Sequence, residues 1–289
     1  MRIYAKLAGV EVGDGCSVKI VGVINVSPES FYKGSVKTGR DEVARAALQL
    51  AEEGANIIDI GAKSTAPYLD TGIPLEEEAR RMVEAVKAVK DVVDKPVSAD
   101  TTSSIVAERA LSVGAEIIND VSGLKGDPRM ARVVADHHAA LIISAREAIP
   151  TRGMPVTRVI AALKESLQMA SLAGVEEEAI VVDPAIGFFR HTEHPWYLWD
   201  CEIIVGLKRI REELKRPICI GVSRKSFIGA LLGREKPEER LYGSLSSTAI
   251  AVYNGADLVR THDVAATLDA VRMAEFLRKA SLGTSINHI

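Results

Sequence analysis

Residues able to do chemistry recur at the ends of short apolar runs. Asn25 closes IVGVIN, Asp59 sits in NIIDIG, Asp100 closes VSAD, Asn119 lies in EIIND, Ser144 ends AALIIS and Asp183 ends AIVVD. Ser223 and Lys225 follow PICIGV, and Arg260 and His262 close ADLVRTH. One polar residue at a run's end is ordinary, because such residues cap and turn the chain. A set of them at the ends of consecutive runs reads as one polar rim around a pocket. Asp100, Asn119, Asp183 and Lys225 mix carboxylates, an amide and an ammonium, which suits a flat heterocycle bearing donors and acceptors, such as an aminopyrimidinone. Arg260, His262 and Asn25 lean towards an anion such as a phosphate or diphosphate, and the Asn25 carbonyl oxygen can reach Mg2+.

The elements that must position these residues follow a regular rhythm. Each run is rich in Val and Ile, too short for a helix, and reads as a strand buried on both faces. Such strands are expected at Ile20–Asn25, Asn56–Gly61, Pro96–Thr101, Glu116–Asp120, Ala139–Ser144, Ala179–Pro184, Pro217–Ser223 and Ala256–His262. Segments of helical period alternate with them: Asp41–Glu53, Glu76–Val93, Ser103–Val113, Arg129–His138, Pro155–Leu172, Trp196–Leu214, Gly243–Tyr253 and Thr267–Lys279. Strand and helix in alternation predict an α/β fold, a single (β/α)8 TIM barrel with its active site at the carboxyl ends of the strands. An open doubly wound sheet is the competing architecture, but no Gly-x-Gly-x-x-Gly turn follows the first strand. Ahead of the barrel, residues 1–19 read as a short β-hairpin that turns at Gly13-Asp14-Gly15 and caps the amino-terminal end. Residues 20–280 form the barrel and 281–289 a C-terminal tail. Loops 27–40 and 62–75, rich in Gly, Ser, Thr and Pro, are expected to act as lids.

Composition narrows the partners. The net charge is −3 with no basic block, which points away from nucleic acid and from an anionic membrane surface. No apolar run approaches the roughly 20 residues needed to span a bilayer, and the first residues lack the apolar core of a signal peptide. Three dispersed cysteines, Cys16, Cys201 and Cys219, suit a reduced, cytoplasmic protein. The His137–His138 pair, and His191 with His194, read as helix ends or loops rather than a zinc site. Several polar residues have plain structural readings. Asp120 and Asp263 are expected as caps or loop anchors, Arg240 as a surface or helix-start residue, and Trp196 and Trp199 as helix packing. Asp59 is open between a buried structural acid and a member of the rim.

The segments GVINVSPESF (22–31), NIIDIGAKSTAP (56–67), VSADT, EIINDVSG, VVDPAIGF, GVSRKSFIG, ERLYGSLSSTA and DLVRTHDV resemble, in order, the signatures of dihydropteroate synthase, the pterin-binding barrel family. The resemblance runs from about residue 18 to residue 275. It implies condensation of 6-hydroxymethyl-7,8-dihydropterin diphosphate with an aromatic amine, usually p-aminobenzoate, with release of diphosphate. Matched motif by motif, it implies that Asp100, Asn119, Asp183 and Lys225 hold the pterin. Asn25, Arg260 and His262 would hold the diphosphate, with Asn25 on Mg2+. Asn25, Lys225, Arg260 and His262 are then the catalytic set. Thr65 and Ser226 would lie near the amine or the leaving group, and Phe188 would line the amine's path. A homodimer is also implied.

Three stretches depart from the family pattern. Ser144-Ala145-Arg146 stands where Met-His-Met is common. Gly61-Ala62-Lys63-Ser64-Thr65-Ala66-Pro67 lacks the second Gly and the Arg of Gly-Gly-x-Ser-Thr-Arg-Pro. Gly187-Phe188-Phe189-Arg190 replaces Gly-Phe-Gly-Lys. All three fall on the side assigned to the amine. They suggest a different or larger aniline, for example one carrying a ribosyl phosphate as in methanopterin rather than folate biosynthesis, with Lys63, Arg146 or Arg190 meeting its phosphate. The alternatives are methyl transfer from a methyl-pterin and a pterin-binding protein without catalysis.

Overall fold

Alternation of side chains along the apolar runs closes them into a barrel. The structure, a computed structural model, describes residues 2–27, 36–37, 39–64, 72–149, 152–189 and 195–281. A hairpin of β1 (Tyr4–Leu7) and β2 (Val10–Gly13) precedes eight parallel strands: β3 (Lys19–Asn25), β4 (Ile57–Gly61), β5 (Val97–Asp100), β6 (Ile117–Asp120), β7 (Ala140–Ser144), β8 (Ile180–Asp183), β9 (Cys219–Ile220) and β10 (Leu258–Thr261). Their spatial order is β8-β7-β6-β5-β4-β3-β10-β9, and a parallel bridge between Val182 and Ile218 joins β8 to β9 and closes the ring. The fold is a (β/α)8 barrel.

The helices form the outer layer: α1 (Arg40–Glu52), α2 (Leu75–Lys90), α3 (Ser104–Ser112), α4 (Met130–Asp136), α5 (Pro155–Ala173), α6 (Trp196–Val205), α7 (Leu207–Leu214), α8 (Ser226–Leu232), α9 (Leu241–Tyr253) and α10 (Val264–Ser281). Acids open α2 (Glu76, Glu77, Glu78) and lysines close it (Lys87, Lys90), as the helix dipole favours. The large core lies between helices and strands. A smaller cluster fills the barrel's amino-terminal end, where Ala5, Leu7 and Val12 of the hairpin pack with Val21, Ile57, Ile117, Val181 and Leu258.

That plug sets the register of the active rim. Successive inward side chains on a strand are two residues apart. Two positions beyond Ile57, Ile117, Val181 and Leu258 therefore stand Asp59, Asn119, Asp183 and Arg260, one layer nearer the carboxyl ends.

Three elements differ from the sequence reading. The hairpin turns at Ala8-Gly9, not at residues 13–15. Both turn residues have positive φ (46° and 90°), which matches the twist of a tight two-residue hairpin. The segment 196–214 is two helices broken at Gly206, where a Cβ would lie 2.4 Å from Val156 Cγ2. A further helix, α8, follows strand β9 directly. Of the expected lids, residues 28–35, 38 and 65–71 lie outside the described residues. His137 ends α4, and His138 faces Glu176 at 3.8 Å; His191 and His194 are outside the described residues.

Candidate active site

Arg260 organises the floor of the rim. Its Nε donates to Asp59 Oδ2 at 2.6 Å and its Nη2 to Asp100 Oδ2 at 2.8 Å. Asp59 is fully buried and its Oδ2 also faces Asn119 Nδ2 at 3.5 Å. Asp59 is thus a member of the rim, although sequence reasoning left it open. Each carboxylate spends one oxygen on the guanidinium. The other, Oδ1 in both, is buried with no partner among the described residues. A buried acceptor left unpaired costs about 1–3 kcal/mol, more when charged, so both oxygens call for donors on a ligand. Burial pushes the Asp100 carboxyl up to about 7; Arg260 pulls against this and Asp59 adds to it.

A second cluster surrounds Lys225. Gly221 has no side chain, and a Cβ there would lie 3.8 Å from Arg260 Cβ and 4.0 Å from Lys225 Nζ. Both are ordinary contact distances, so residue 221 lies beside both cations. Lys225 Nζ donates to the Ile186 carbonyl and sits 4.7 Å above the centroid of Phe188. Burial raises the Asp183 carboxyl, opposed mainly by the Lys225 charge. Asp183 Oδ1 accepts from Ala185 N at 2.6 Å, an Asx turn that allows Ala185 its left-handed φ of 61°. Arg224 is also left-handed (φ 54°). Asp263 grips it through Nε and Nη2 at 2.9 and 2.7 Å, and Ser244 Oγ accepts its N–H. That strained turn places Lys225 at the N-cap of α8 and Ser226 at its first residue.

A third cluster joins His262, Ser223 and Asn25. His262 Nδ1 lies 2.9 Å from Ser223 Oγ, and its Nε2 lies 3.5 Å from Asn25 Nδ2. Burial, with Arg260, Arg224 and Lys225 nearby, depresses its pKa to about 3. The imidazole is neutral at working pH and offers a hydrogen bond, not a charge.

Beside Asp100 a cleft of about 640 Å³ opens, lined among others by Lys63, Ser64, Thr101, Ser122, Arg146 and Phe188. Of the residues singled out from sequence, the structure puts Lys63, Asp100, Arg146 and Phe188 on this cleft. Asn119 joins the arginine cluster, and Asp183 joins Lys225. Asn25 joins His262. Thr65 and Arg190 lie outside the described residues. Asp120 is a loop anchor, accepting from Ser122 N and Leu124 N at 2.8 and 2.7 Å. Asp263 anchors Arg224. Arg240 precedes α9, but it is buried and not on the surface: it donates to the carbonyls of Arg224, Arg234 and Glu235, so its charge ties the loop after α8 together. Trp199 is fully buried against Phe189.

Residues 21–262 match the profile of the pterin binding enzymes. A dihydropteroate synthase of Clostridium beijerinckii is 35% identical over 274 residues, spanning 94% of this chain and 98% of the relative. The chain belongs to the dihydropteroate synthase family of pterin binding enzymes. The Bacillus subtilis dihydropteroate synthase is 34% identical over 245 residues, covering 85% of this chain and 83% of its own. Among solved structures, Xanthomonas albilineans dihydropteroate synthase with 4-aminobenzoic acid is 33% identical and superposes with a TM-score of 0.84, covering 96% of this chain and 99% of that one. The same enzyme in complex with 7,8-dihydropteroate gives 0.81 at 32% identity, covering 95% and 98%. The chain is accordingly a transferase of this family.

The family resemblance implies Mg2+. Among the described residues no group of three His, Cys, Asp or Glu side chains is arranged for a metal. Mg2+ commonly takes one or two protein oxygens and completes its shell with phosphates and water, so a single carboxamide suffices. Asn25 Oδ1 fits that part. A Cβ on Gly61 would lie 3.0 Å from it, so a side chain at residue 61 would crowd the oxygen.

Proposed function

We propose that the chain joins 6-hydroxymethyl-7,8-dihydropterin diphosphate to p-aminobenzoate and releases diphosphate, the dihydropteroate synthase reaction of folate synthesis. The observation that carries this reading is the pair of buried carboxylates, Asp59 and Asp100, each clamped by Arg260 through one oxygen and open at the other. That floor matches a flat ring whose amino and ring N–H groups donate. Asn119, Asp183 and Lys225 complement the remaining ring edge.

The reaction breaks the C–O bond between the exocyclic methylene and the diphosphate, and the bonding pair leaves with diphosphate. The lone pair of the neutral aniline forms the new C–N bond, and the aniline's proton passes to solvent. No strong base is needed. The chain's work is to orient the ring and to stabilise charge. Asn25 would hold Mg2+, which would supply positive charge to the leaving group. Neutral His262, oriented by Ser223, donates or accepts one hydrogen bond beside it. Arg260 is already compensated by two carboxylates, so its contribution is to the pterin floor as much as to the anion.

A second reading concerns the amine. Lys63 and Arg146 line the same cleft as Asp100 and Phe188, and neither side chain has a hydrogen bond or ion pair among the described residues. Lys125, also on the cleft, is occupied by the Arg146 and Ala162 carbonyls, Ser166 and Glu165. Two uncommitted cations favour an aniline with an additional anionic group, such as a ribosyl phosphate of methanopterin synthesis. Exposed Tyr242, Ile250, Met273, Phe276 and Leu277 on the adjoining helices α9 and α10 support a homodimer through that face.

The deciding assay follows diphosphate release from the pterin diphosphate with Mg2+, with p-aminobenzoate and a ribosyl-phosphate aniline in parallel. Release with either establishes the synthase. Preference for the phosphorylated amine, lost in Lys63→Met/Arg146→Met, establishes the second reading. Pterin binding without release from any amine would refute both and leave a binding protein; corrinoid-dependent methyl transfer would identify a methyltransferase.

A further inference from the structure

Three consecutive residues of the loop after β8 touch Lys225. The Ile186 carbonyl accepts its ammonium. Its methylene stem lies on Gly187, where a Cβ would come within 3.0 Å of Lys225 Cδ and where φ is +83°. Phe188 lies under its Nζ at 4.7 Å. The middle residue of the three is held from behind: Gly187 N donates to Asp200 Oδ1 at 2.8 Å. Asp200 is on α6, fully buried, and does not line the cleft.

Its neighbour Trp199 secures the same loop by another contact. The indole stacks on Phe189 with centroids 4.8 Å apart. The Arg158 guanidinium lies 4.7 Å from the centre of the Trp199 ring and pairs with Glu147 through two bonds of 2.9 and 2.6 Å. Two adjacent side chains of α6 thus grip two residues of the loop that cradles Lys225. A buried carboxylate that accepts from a backbone N–H is useful where the position of that backbone matters. A loop that fixes an ammonium within a hydrogen bond of its target gives it that use.

We propose that Asp200 is a positioning residue for Lys225: by fixing Gly187 it sets the Ile186 carbonyl and the Phe188 ring that aim the ammonium into the rim. This rests on the reading above, in which Lys225 contacts the pterin. Asp200→Asn keeps an Oδ1 acceptor, whereas Asp200→Ser is too short to reach Gly187. Binding of the pterin diphosphate is measured in both variants, each with Lys225 intact and with Lys225→Ala. The expected result is a loss of about tenfold in affinity for Asp200→Ser, rescue to within about twofold by Asp200→Asn, and almost no further loss on the Lys225→Ala background. Equal losses on both backgrounds, or equal behaviour of Ser and Asn, would overturn the proposal. Asp200→Thr replaces Asp200→Ser if the latter does not fold.

A readout without substrate separates this proposal from the functional one. In protein with isotope-labelled lysine, the Lys225 ε-methylene is shifted by the Phe188 ring and is assigned by its absence from Lys225→Ala. It should move in Asp200→Ser and stay in Asp200→Asn. A signal unmoved by Asp200→Ser overturns the positioning role whatever the ligand; failure of the unsubstituted chain to bind the pterin counts against the function alone.

Discussion

Removing the Arg260 guanidinium tests the organisation of the site without any assumption about substrate. Arg260→Met keeps the length of the stem and deletes both donors. Two carboxylates then lose their counter-charge in a place where side-chain exposure is 0% for Asp59 and 7% for Asp100. Breaking a buried pair from one side costs about 3–5 kcal/mol, which for a chain of this size is about 5–8 °C in melting temperature. The loss must depend on pH. With Arg260 gone, Asp100 can escape the penalty by taking up a proton, so the gap from the parent should be widest near pH 8.5 and narrow towards pH 5.5. Melting curves of both proteins across that range are the assay. Asp59→Asn placed on Arg260→Met should recover part of the loss, since it removes one of the stranded charges. A gap below about 2 °C at pH 8.5, or one that widens as pH falls, would show that Arg260 does not balance these acids.

The other expectations are shorter. Asp100, raised to about 7, must be ionised to accept two donors from a pterin, so pterin affinity should fall as pH drops through 7, and Asp100→Asn should flatten that dependence in titration calorimetry. The same shift has a stability sign: its contribution is full below the unfolded value near 3.8 and is lost as pH rises through 7, so Asp100→Asn should gain relative stability at alkaline pH. At the opposite end of the barrel, Arg211 grips Asp257 at 2.9 and 3.0 Å and reaches Asp14 of the hairpin link at 2.7 Å. Arg211→Met should cost about 3 kcal/mol in urea unfolding with kcat and KM unchanged; a kinetic defect without a shifted midpoint would contradict that separation. Tyr242→Glu with Phe276→Glu should turn the proposed dimer into monomers in sedimentation velocity, and an unchanged sedimentation coefficient would refute an interface through this face.

The strand ends were legible because a strand buried on both faces leaves an uninterrupted apolar run, and the barrel then dictates where its polar end must point. Asp100, Asn119, Asp183 and Arg260 follow from that alone. What spacing does not encode is which side chains meet across the ring. Asp59 and Arg260 are 201 residues apart in sequence and 2.6 Å apart in space, and no local pattern marks Asp59 as the partner. The hairpin turn was misplaced because Gly13-Asp14-Gly15 is the stronger turn signal, while Ala8-Gly9 earns its turn from strand pairing. Asp14 and Gly13 serve other ends: Asp14 Oδ2 accepts Ile3 N at 2.8 Å, and a Cβ on Gly13 would strike the Ile3 carbonyl. Arg240 looked like a surface residue because its partners are backbone carbonyls, which leave no signature in sequence. Asp200 is unreadable for a related reason: it holds the backbone N–H of Gly187, a contact that leaves no signature in sequence.

The charges in the rim explain why ligand and metal would belong together. Arg260 carries one positive charge against two carboxylates, so the cluster is negative when both acids ionise. Burial with that excess is what lifts Asp100 towards 7, where it readily holds a proton. A donor-rich ring can take the proton's place, so pterin binding and proton release are coupled. His262 is neutral, held so by burial and by Arg260, Arg224 and Lys225. The rim's uncompensated positive charge is therefore small, with Lys225 itself facing Asp183. A diphosphate carries more negative charge than that arrangement can balance, so on the proposed reading a divalent cation at Asn25 would supply the remainder. On the proposed reading Arg260 and Asp100 would govern the ring, Asn25 and His262 the leaving group, and Lys225, lying between the two clusters, would be felt by both.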